Sequence, residues 1–176
     1  IAYEIFEGNK FEGHTFIPTI LKFRDKYQID KLTVVADAAM LSQKNMDELN
    51  SKELKYIVGA RLGNLPIETI EQLSKELAAQ DGKYFLLKTE KGLLVCDYSI
   101  KRAYKDRTDR KKQLLRAERE LQHPSKSAKR PKFVKVINKI SVELNQELIR
   151  KAELLEGIKG YYTNLKNTPP EIIISR

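Results

Sequence analysis

Apolar and polar positions in the first 61 residues follow two periods, which predict strands separated by helices. Residues 1–6 alternate as a strand does, and residues 15–27 place apolar side chains at helical spacing. Residues 32–36 form a short apolar run, residues 43–52 predict a second helix, and residues 56–60 a further strand. Strand, helix, strand, helix, strand indicates an α/β fold whose sheet is at least partly parallel.

After residue 61 the pattern changes from crossover units to a hairpin and isolated elements. Two apolar runs joined by Thr89–Gly92 predict a β-hairpin, which is most simply a second layer or an insertion. A long charged helix follows, with a thin apolar stripe, and we expect Asp106 to pair with Arg110 and Arg116 with Glu120. The predicted elements of this part are a helix at 67–77, strands at 84–88 and 93–98, the charged helix at 100–122, an exposed strand at 133–140, a helix at 144–155, a strand at 158–163, and a capping box at 168–171 that begins another helix.

Asp37 ends the apolar run 32–36, and that position makes it a candidate for chemistry. The run lacks strict polar alternation, so it predicts a strand buried on both faces. In open α/β sheets, binding sites form at the carboxyl ends of the strands. Alternatively, Asp37 only caps the turn into the next helix. The local pattern leaves both interpretations open.

Composition favours a globular protein with one core and room for an insertion. The chain has 176 residues, of which 41% are hydrophobic. Its single cysteine, Cys96, excludes an internal disulfide framework and a cysteine-rich zinc site. No apolar run approaches the roughly 20 residues that cross a bilayer, and the first residues lack the features of a signal peptide. We therefore expect a cytoplasmic protein without a membrane partner.

The positive charge of the chain is concentrated in one segment. The net charge is +9, and residues 101–135 contain fourteen Lys or Arg against four Asp or Glu. A concentrated basic patch is typical of proteins that bind a polyanion, because neutralised phosphates release their counterions. The alternative is a solvated helix face that keeps the protein soluble.

A set of residues spread over nearly the whole chain has the order and spacing of the sequence motifs of a known protein family. They are Gly8-Asn9, Glu12, Thr15, Pro18, Val34-Val35-Ala36-Asp37, Met40, Ser42, Asn45, Tyr56-Ile-Val-Gly-Ala-Arg61, Tyr98-Ser99, Arg102-Ala103, Lys105-Asp106 and Glu156-Gly-Ile-Lys-Gly-Tyr-Tyr-Thr-Asn164. Together they resemble the core of bacterial insertion-sequence transposases of the DDE type. No single motif is specific, whereas their order and spacing are.

The resemblance implies a ribonuclease-H-like mixed sheet in which three carboxylates hold two Mg²⁺ or Mn²⁺ ions. Asp37 matches the second carboxylate, which makes it the expected catalytic residue and metal ligand. The first is expected upstream of residue 1, and the third is a Glu expected beyond residue 176. The chain would then be an internal fragment of a transposase, inactive alone, from an enzyme that cleaves DNA phosphodiesters and transfers strands.

The resemblance also implies a division of the chain and its DNA contacts. Residues 1–61 would be a core segment, residues 62–163 a largely β insertion with the basic helix, and residues 164–176 the start of the helix that bears the Glu. The partners would be the transposon ends and target in double-stranded DNA, bound by a homodimer. The residues predicted to contact DNA are Arg61, Arg107, Arg110, Lys111, Lys112, Lys126, Lys129, Arg130 and Lys132.

A second function fits the same residues. The chain could be a basic α/β module that binds nucleic acid through its charged helix without catalysis, in which case Asp37 is a turn cap. The two hypotheses differ in whether replacing Asp37 abolishes cleavage of DNA.

Overall fold

A computed structural model describes residues 12–38, 42–123, 130–137 and 141–175, with the backbone alone for residues 12–14. The fold is mixed α/β, as predicted. In chain order the elements are α1 (Glu12–Lys26), β1 (Thr33–Ala36), α2 (Gln43–Ser51), β2 (Lys55–Gly59), a 3₁₀ turn (Leu62–Asn64), α3 (Ile67–Leu77), β3 (Tyr84–Thr89), β4 (Gly92–Tyr98), α4 (Ile100–Gln122), β5 (Val134–Ile137), β6 (Ser141–Leu144), α5 (Gln146–Leu154), β7 (Ile158–Thr163) and α6 (Pro170–Ile174).

Five strands form one mixed sheet in the order β1-β2-β7-β4-β3. β1 and β2 are parallel, with Val34 opposite Tyr56, as the crossover pattern predicted. β7 then runs antiparallel to β2, with Tyr162 opposite Val58. β3, β4 and β7, which the sequence analysis placed in the insertion, therefore hydrogen-bond into the same sheet as β1 and β2. The strand predicted at residues 1–6 lies outside the described residues.

The prediction that β1 is buried on both faces is wrong. Val34 is 6% exposed, whereas its neighbour Val35 is 54% exposed. Successive side chains of β1 point to opposite faces of the sheet, and only the face that carries Val34 is covered. A short run of β-branched residues does not by itself show whether one or both faces of a strand are covered.

Residues 134–137 and 141–144 form two paired strands, whereas the sequence pattern predicted one strand at 133–140 followed directly by a helix. Residues 138–140 of that predicted strand lie outside the described residues. β5 and β6 make a separate antiparallel sheet in which Val134 lies opposite Leu144. The alternation of apolar and polar residues continues through β6, which is why Leu144 belongs to a strand. α5 begins two residues later, and the Asn145 side chain accepts the Leu148 N–H at 3.0 Å.

Neither α4 nor α6 has a capping bond from the side chain of its own N-cap residue. The predicted capping box at residues 168–171 is wrong: the N-cap of α6 is Pro169, and no side chain caps it. Ser99 is the N-cap of α4, but its side chain makes no capping bond. Asp81 supplies the bond instead, because its Oδ1 accepts the Ile100 N–H at 2.8 Å.

Contacts divide the chain into two units. The first unit comprises the described residues up to Arg61, residues 86–96 and the described residues from 160 onward. Its core is a cluster of buried side chains from the three adjacent strands β2, β7 and β4 and from α6. They are Ile57, Val95, Tyr161 and Ile173, with the half-buried Leu93, Leu165 and Ile174 packed around them.

The second unit comprises residues 62–85 and the described residues of 97–159. Within it α3 packs on α5, and α4 packs on β5 and β6. α3 buries Ile70, Leu73 and Leu77 at helical spacing. None of the described helices combines the length and the apolar character needed to cross a bilayer.

Gly157 ends the turn between α5 and β7, and its position admits no side chain. Its φ is +80°, a left-handed conformation that disfavours residues with a Cβ. A Cβ there would lie 2.5 Å from Cε2 of Tyr98 and 2.9 Å from Cβ of Ala103. The turn is therefore fixed by packing as well as by backbone conformation.

We expect Gly157→Ala to lower the free energy of unfolding by about 3 kcal/mol, because it adds backbone strain and overpacking at one position. The matched control is Gly63→Ala, since a Cβ at Gly63 meets nothing within 4 Å. Urea denaturation of both variants checks the expectation. Equal stability of the two variants would contradict it.

Candidate functional site

Asp37 follows the last residue of β1, at the sheet edge where the parallel strands β1 and β2 both end. Its side chain is exposed, and its Oδ1 accepts the N–H of Ala38 at 3.1 Å. This bond is the turn cap of the simpler alternative. Oδ2 accepts no hydrogen bond from a described residue. The capping bond therefore leaves one carboxylate oxygen available to an outside ligand.

Gly59, the last residue of β2, makes room for this arrangement. A Cβ at Gly59 would lie 3.1 Å from the backbone N of Ala38 and 3.5 Å from Oδ1 of Asp37. The first distance is tighter than side chains normally tolerate, while the backbone of Gly59 has no positive φ. The requirement at this position is therefore space. The missing side chain lets the Asp37 carboxylate lie against the end of β2.

Arg61 lies two residues beyond β2, at the same edge as Asp37. Its side chain is exposed and forms no ion pair with a described carboxylate. The end of β2 is held by the Ala60 N–H, which donates to the Gly160 carbonyl at 2.8 Å. A cation at the same end of the strands as the candidate carboxylate suits a phosphate partner. The predicted contact of Arg61 with DNA stays a prediction.

Helix α6 packs on the strands next to Asp37. Its Ile173 is buried with Ile57 of β2 and Tyr161 of β7. A groove of about 390 Å³ lies between part of the helix and the strands. It is lined by Thr33, Val35, Ile57, Leu165, Thr168 and Ile172. The helix that the resemblance assigns to the third carboxylate therefore packs on the sheet that carries Asp37.

Asp37 belongs to no group of three potential metal ligands in the part of the chain that the structure describes. No three His, Cys, Asp or Glu side chains there lie close enough to hold a metal ion. Glu171, in the first turn of α6, is exposed. One exposed carboxylate oxygen fits a hard divalent cation in type, but such ions take six or more oxygen ligands. Asp37 can supply one of them.

Arg107 and Arg110, predicted to contact DNA, have a partner inside the protein. The carboxylate of Glu156 accepts from Arg107 Nη2 at 2.7 Å and from Arg110 Nη2 at 2.6 Å. The side chains of Arg110 and Glu156 are only 15% and 12% exposed. The predicted pairing of Arg110 with Asp106 is wrong, since Asp106 pairs with Arg102 and accepts the Gly157 N–H at 3.1 Å. These contacts hold α4 against the turn at Gly157.

The pKa of Glu156 reflects the same contacts. Burial alone would raise the pKa of this carboxyl, but the hydrogen bonds and charges of Arg107 and Arg110 outweigh burial and lower it. Glu156 is therefore ionised in the folded protein over a wider pH range than a free carboxyl. Its two ion pairs are a structural clamp between α4 and the residues that precede β7.

The other predicted DNA contacts fall into three groups. Lys111 and Lys112 are exposed on α4. Arg130 pairs with Glu120, which was predicted to pair with Arg116, and Nζ of Lys132 lies 5.2 Å from the centroid of the Phe133 ring. Lys126 and Lys129 lie outside the described residues. Of the described residues in these groups, Lys111 and Lys112 are exposed on α4, whereas Arg130 has an acidic partner within the protein. Their predicted contacts with DNA stay predictions.

Asp97 is a half-buried carboxylate in β4 that the sequence analysis did not single out. Burial raises its pKa, while the charges of Lys159 and Arg102 partly oppose the rise. Its Oδ1 has no hydrogen-bond partner among the described residues. An aspartate inside an apolar run was the available signal. It belongs to no group of three described His, Cys, Asp or Glu side chains that could hold a metal ion.

Comparison with known proteins gives no match: no protein-family model, no curated protein and no solved structure matches the chain. The role of Asp37 as a catalytic metal ligand stays a prediction, which two observations favour. One is the resemblance of the motif residues, and the other is the geometry at the shared end of β1 and β2.

We expect Glu156→Gln to lower the free energy of unfolding at pH 7 by about 2 kcal/mol, because it removes a largely buried charged partner from Arg110. The folded-state pKa of Glu156 is lowered, so its stabilisation is present above the unfolded-state pKa of about 4.3 and is lost as pH falls through the folded value. The deficit of the variant should therefore shrink below about pH 4. Chemical denaturation between pH 3 and 7 measures it.

The control for this charge is Glu118→Gln on the same helix. Glu118 is exposed and makes no ion pair with a described residue, so its replacement should change stability by less than about 0.5 kcal/mol. A Glu156 variant as stable as this control at pH 7 would show that the clamp contributes nothing.

Proposed function

We propose that this chain is part of a DDE-type transposase that cleaves DNA phosphodiesters and transfers strands in DNA transposition. In this proposal Asp37 is one of three carboxylates that bind two Mg²⁺ or Mn²⁺ ions. The other two lie outside this chain, so the chain is inactive alone. The enzyme would act as a homodimer on double-stranded transposon ends and target DNA.

The position of Asp37 is the observation on which the proposal rests. A catalytic metal ligand needs a carboxylate on a rigid support, with an oxygen that the fold leaves available. Asp37 follows a paired strand, lies against Gly59 and keeps Oδ2 without a described donor. When bound, the two ions activate the attacking oxygen and stabilise the leaving oxygen of the phosphodiester.

Two neighbouring features support the same proposal. Helix α6 packs on β2 through Ile173, so a carboxylate on a continuation of that helix would be carried by the sheet that carries Asp37. Arg61 is exposed at the edge where β2 ends and can neutralise a phosphate there. Phosphoryl transfer depends on such positioning and charge neutralisation.

The alternative function is a basic α/β module that binds nucleic acid without catalysis. The bond from the Ala38 N–H to Asp37 Oδ1 favours it, because an Asp that caps a turn needs no catalytic role. Both functions keep the basic helix α4 as a nucleic-acid contact. They differ in the effect expected from replacing Asp37, because only the transposase would lose cleavage of DNA.

We expect Asp37→Asn, made in the full-length gene product that contains this chain, to reduce Mg²⁺-dependent DNA cleavage by about a thousandfold or more. The affinity for DNA should change little, because one exposed carboxylate is altered. A gel-based cleavage assay in Mg²⁺ and in Mn²⁺, with binding measured in parallel, checks both expectations.

The matched control is Asp30→Asn, since Asp30 is also exposed and precedes the other end of β1. It should retain cleavage activity. Full cleavage by the Asp37 variant would refute the transposase proposal and leave the binding module.

A further inference from the structure

Helix α4 has two faces with different partners. The inner face buries Ala103, Ala117 and most of Glu120. Arg107 and Arg110 reach from this side and its flank to Glu156, and Asp106 accepts the Gly157 N–H. The charged residues on this side of α4 are therefore engaged in contacts that hold the helix in place.

The opposite face of α4 is exposed and carries cations without acids. Helical spacing at 3.6 residues per turn places seven exposed residues on it. They are Lys101, Tyr104, Lys105, Lys112, Leu115, Arg116 and Arg119, which we call the basic face. The acids Asp109 and Glu118 lie on its two flanks. None of its five cations forms an ion pair with a residue that the structure describes.

We propose that the basic face of α4 binds the sugar-phosphate backbone of double-stranded DNA. The choice of DNA as the polyanion rests on the proposed function. The assignment differs from the sequence prediction, which named Arg107 and Arg110. Of its five cations, only Lys112 was among the residues predicted to contact DNA.

Charge complementarity selects the phosphate backbone as the occupant. Exposed cations with no internal partner lose little when they approach phosphates, and they release counterions. Arg107 and Arg110 already share the charge of Glu156, so contact with phosphates would gain less for them than for cations without an acidic partner. From Lys101 to Arg119 the face is about 27 Å long, close to the roughly 34 Å of one turn of B-DNA.

The apolar residues of the face argue against a membrane as the occupant. An interfacial amphipathic helix needs a continuous apolar face to bury in lipid. Here only Tyr104 and Leu115 are exposed apolar residues on the basic face, at 75% and 55%. The phenol of Tyr104 can instead donate a hydrogen bond to a phosphate oxygen. Such contacts position DNA and do not select a sequence.

The test is the triple variant Lys105→Gln, Lys112→Gln and Arg116→Gln. Glutamine has nearly the same helix propensity as the residues it replaces, so α4 should remain folded. We expect the slope of log K against log salt for a duplex of about 20 base pairs to fall by about 2 to 3, and the affinity at low salt to fall roughly tenfold. Fluorescence anisotropy over a salt series measures both.

The matched control removes the same charge from exposed lysines on three other elements: Lys44→Gln in α2, Lys75→Gln in α3 and Lys88→Gln in β3. Its salt slope should stay within about 1 of the parent value, because these side chains are off the basic face. Circular dichroism and thermal unfolding of both triple variants establish that any difference comes from the surface.

Each outcome bears on a different proposal. The proposal for the basic face would be overturned if the two triple variants had equal slopes of log K against log salt. It would also be overturned if the unsubstituted chain did not bind the duplex. Tighter binding of the unsubstituted chain to anionic phosphatidylserine vesicles than to duplex would overturn it as well. Intact cleavage by the Asp37→Asn variant would overturn the transposase function alone and leave the salt slopes as measured.

Discussion

The pairing of β7 with β2 holds the sheet together. β7 lies between β2 and β4, so it joins the parallel pair at one side of the sheet to the hairpin at the other. The Thr163 hydroxyl donates to the Tyr56 carbonyl at 2.6 Å, and Asn164 accepts the Tyr56 N–H at 3.0 Å. These bonds join residues more than a hundred positions apart. Closing so long a loop costs chain entropy, and the buried Tyr56 and Thr163 help to offset it.

Contacts with α4 hold the turn that precedes β7. Gly157 admits no side chain, its N–H donates to Asp106, and the preceding Glu156 holds Arg107 and Arg110. Several residues that carry the resemblance to transposases are therefore part of the structural framework. Asp37 differs from them, because only its Oδ1 takes part in a turn, while Oδ2 accepts no hydrogen bond from a described residue.

The local pattern predicted most of the elements and the position of Asp37 after a strand, whereas contacts between residues distant in sequence decided the rest. α3, α4 and β7 follow from periodicity and from flanking turn residues, and Asp37 follows from the end of an apolar run. The exposure of Val35 depends on what packs over its face of the sheet, which no local pattern contains. Glu156 lies more than forty residues from Arg110, so the i,i+4 spacing suggested a nearer partner. The closeness of Gly59 to Asp37 likewise depends on strand register.

The separation of α4 into two faces has an evolutionary consequence. The ion pairs with Glu156 constrain the inner side, whereas the outer side makes no ion pair with a described residue. Substitutions that add or remove charge on the outer side can therefore accumulate at little cost in folding. Selection can therefore change the positive charge of this surface one side chain at a time, while the ion pairs that hold α4 in the second unit stay the same.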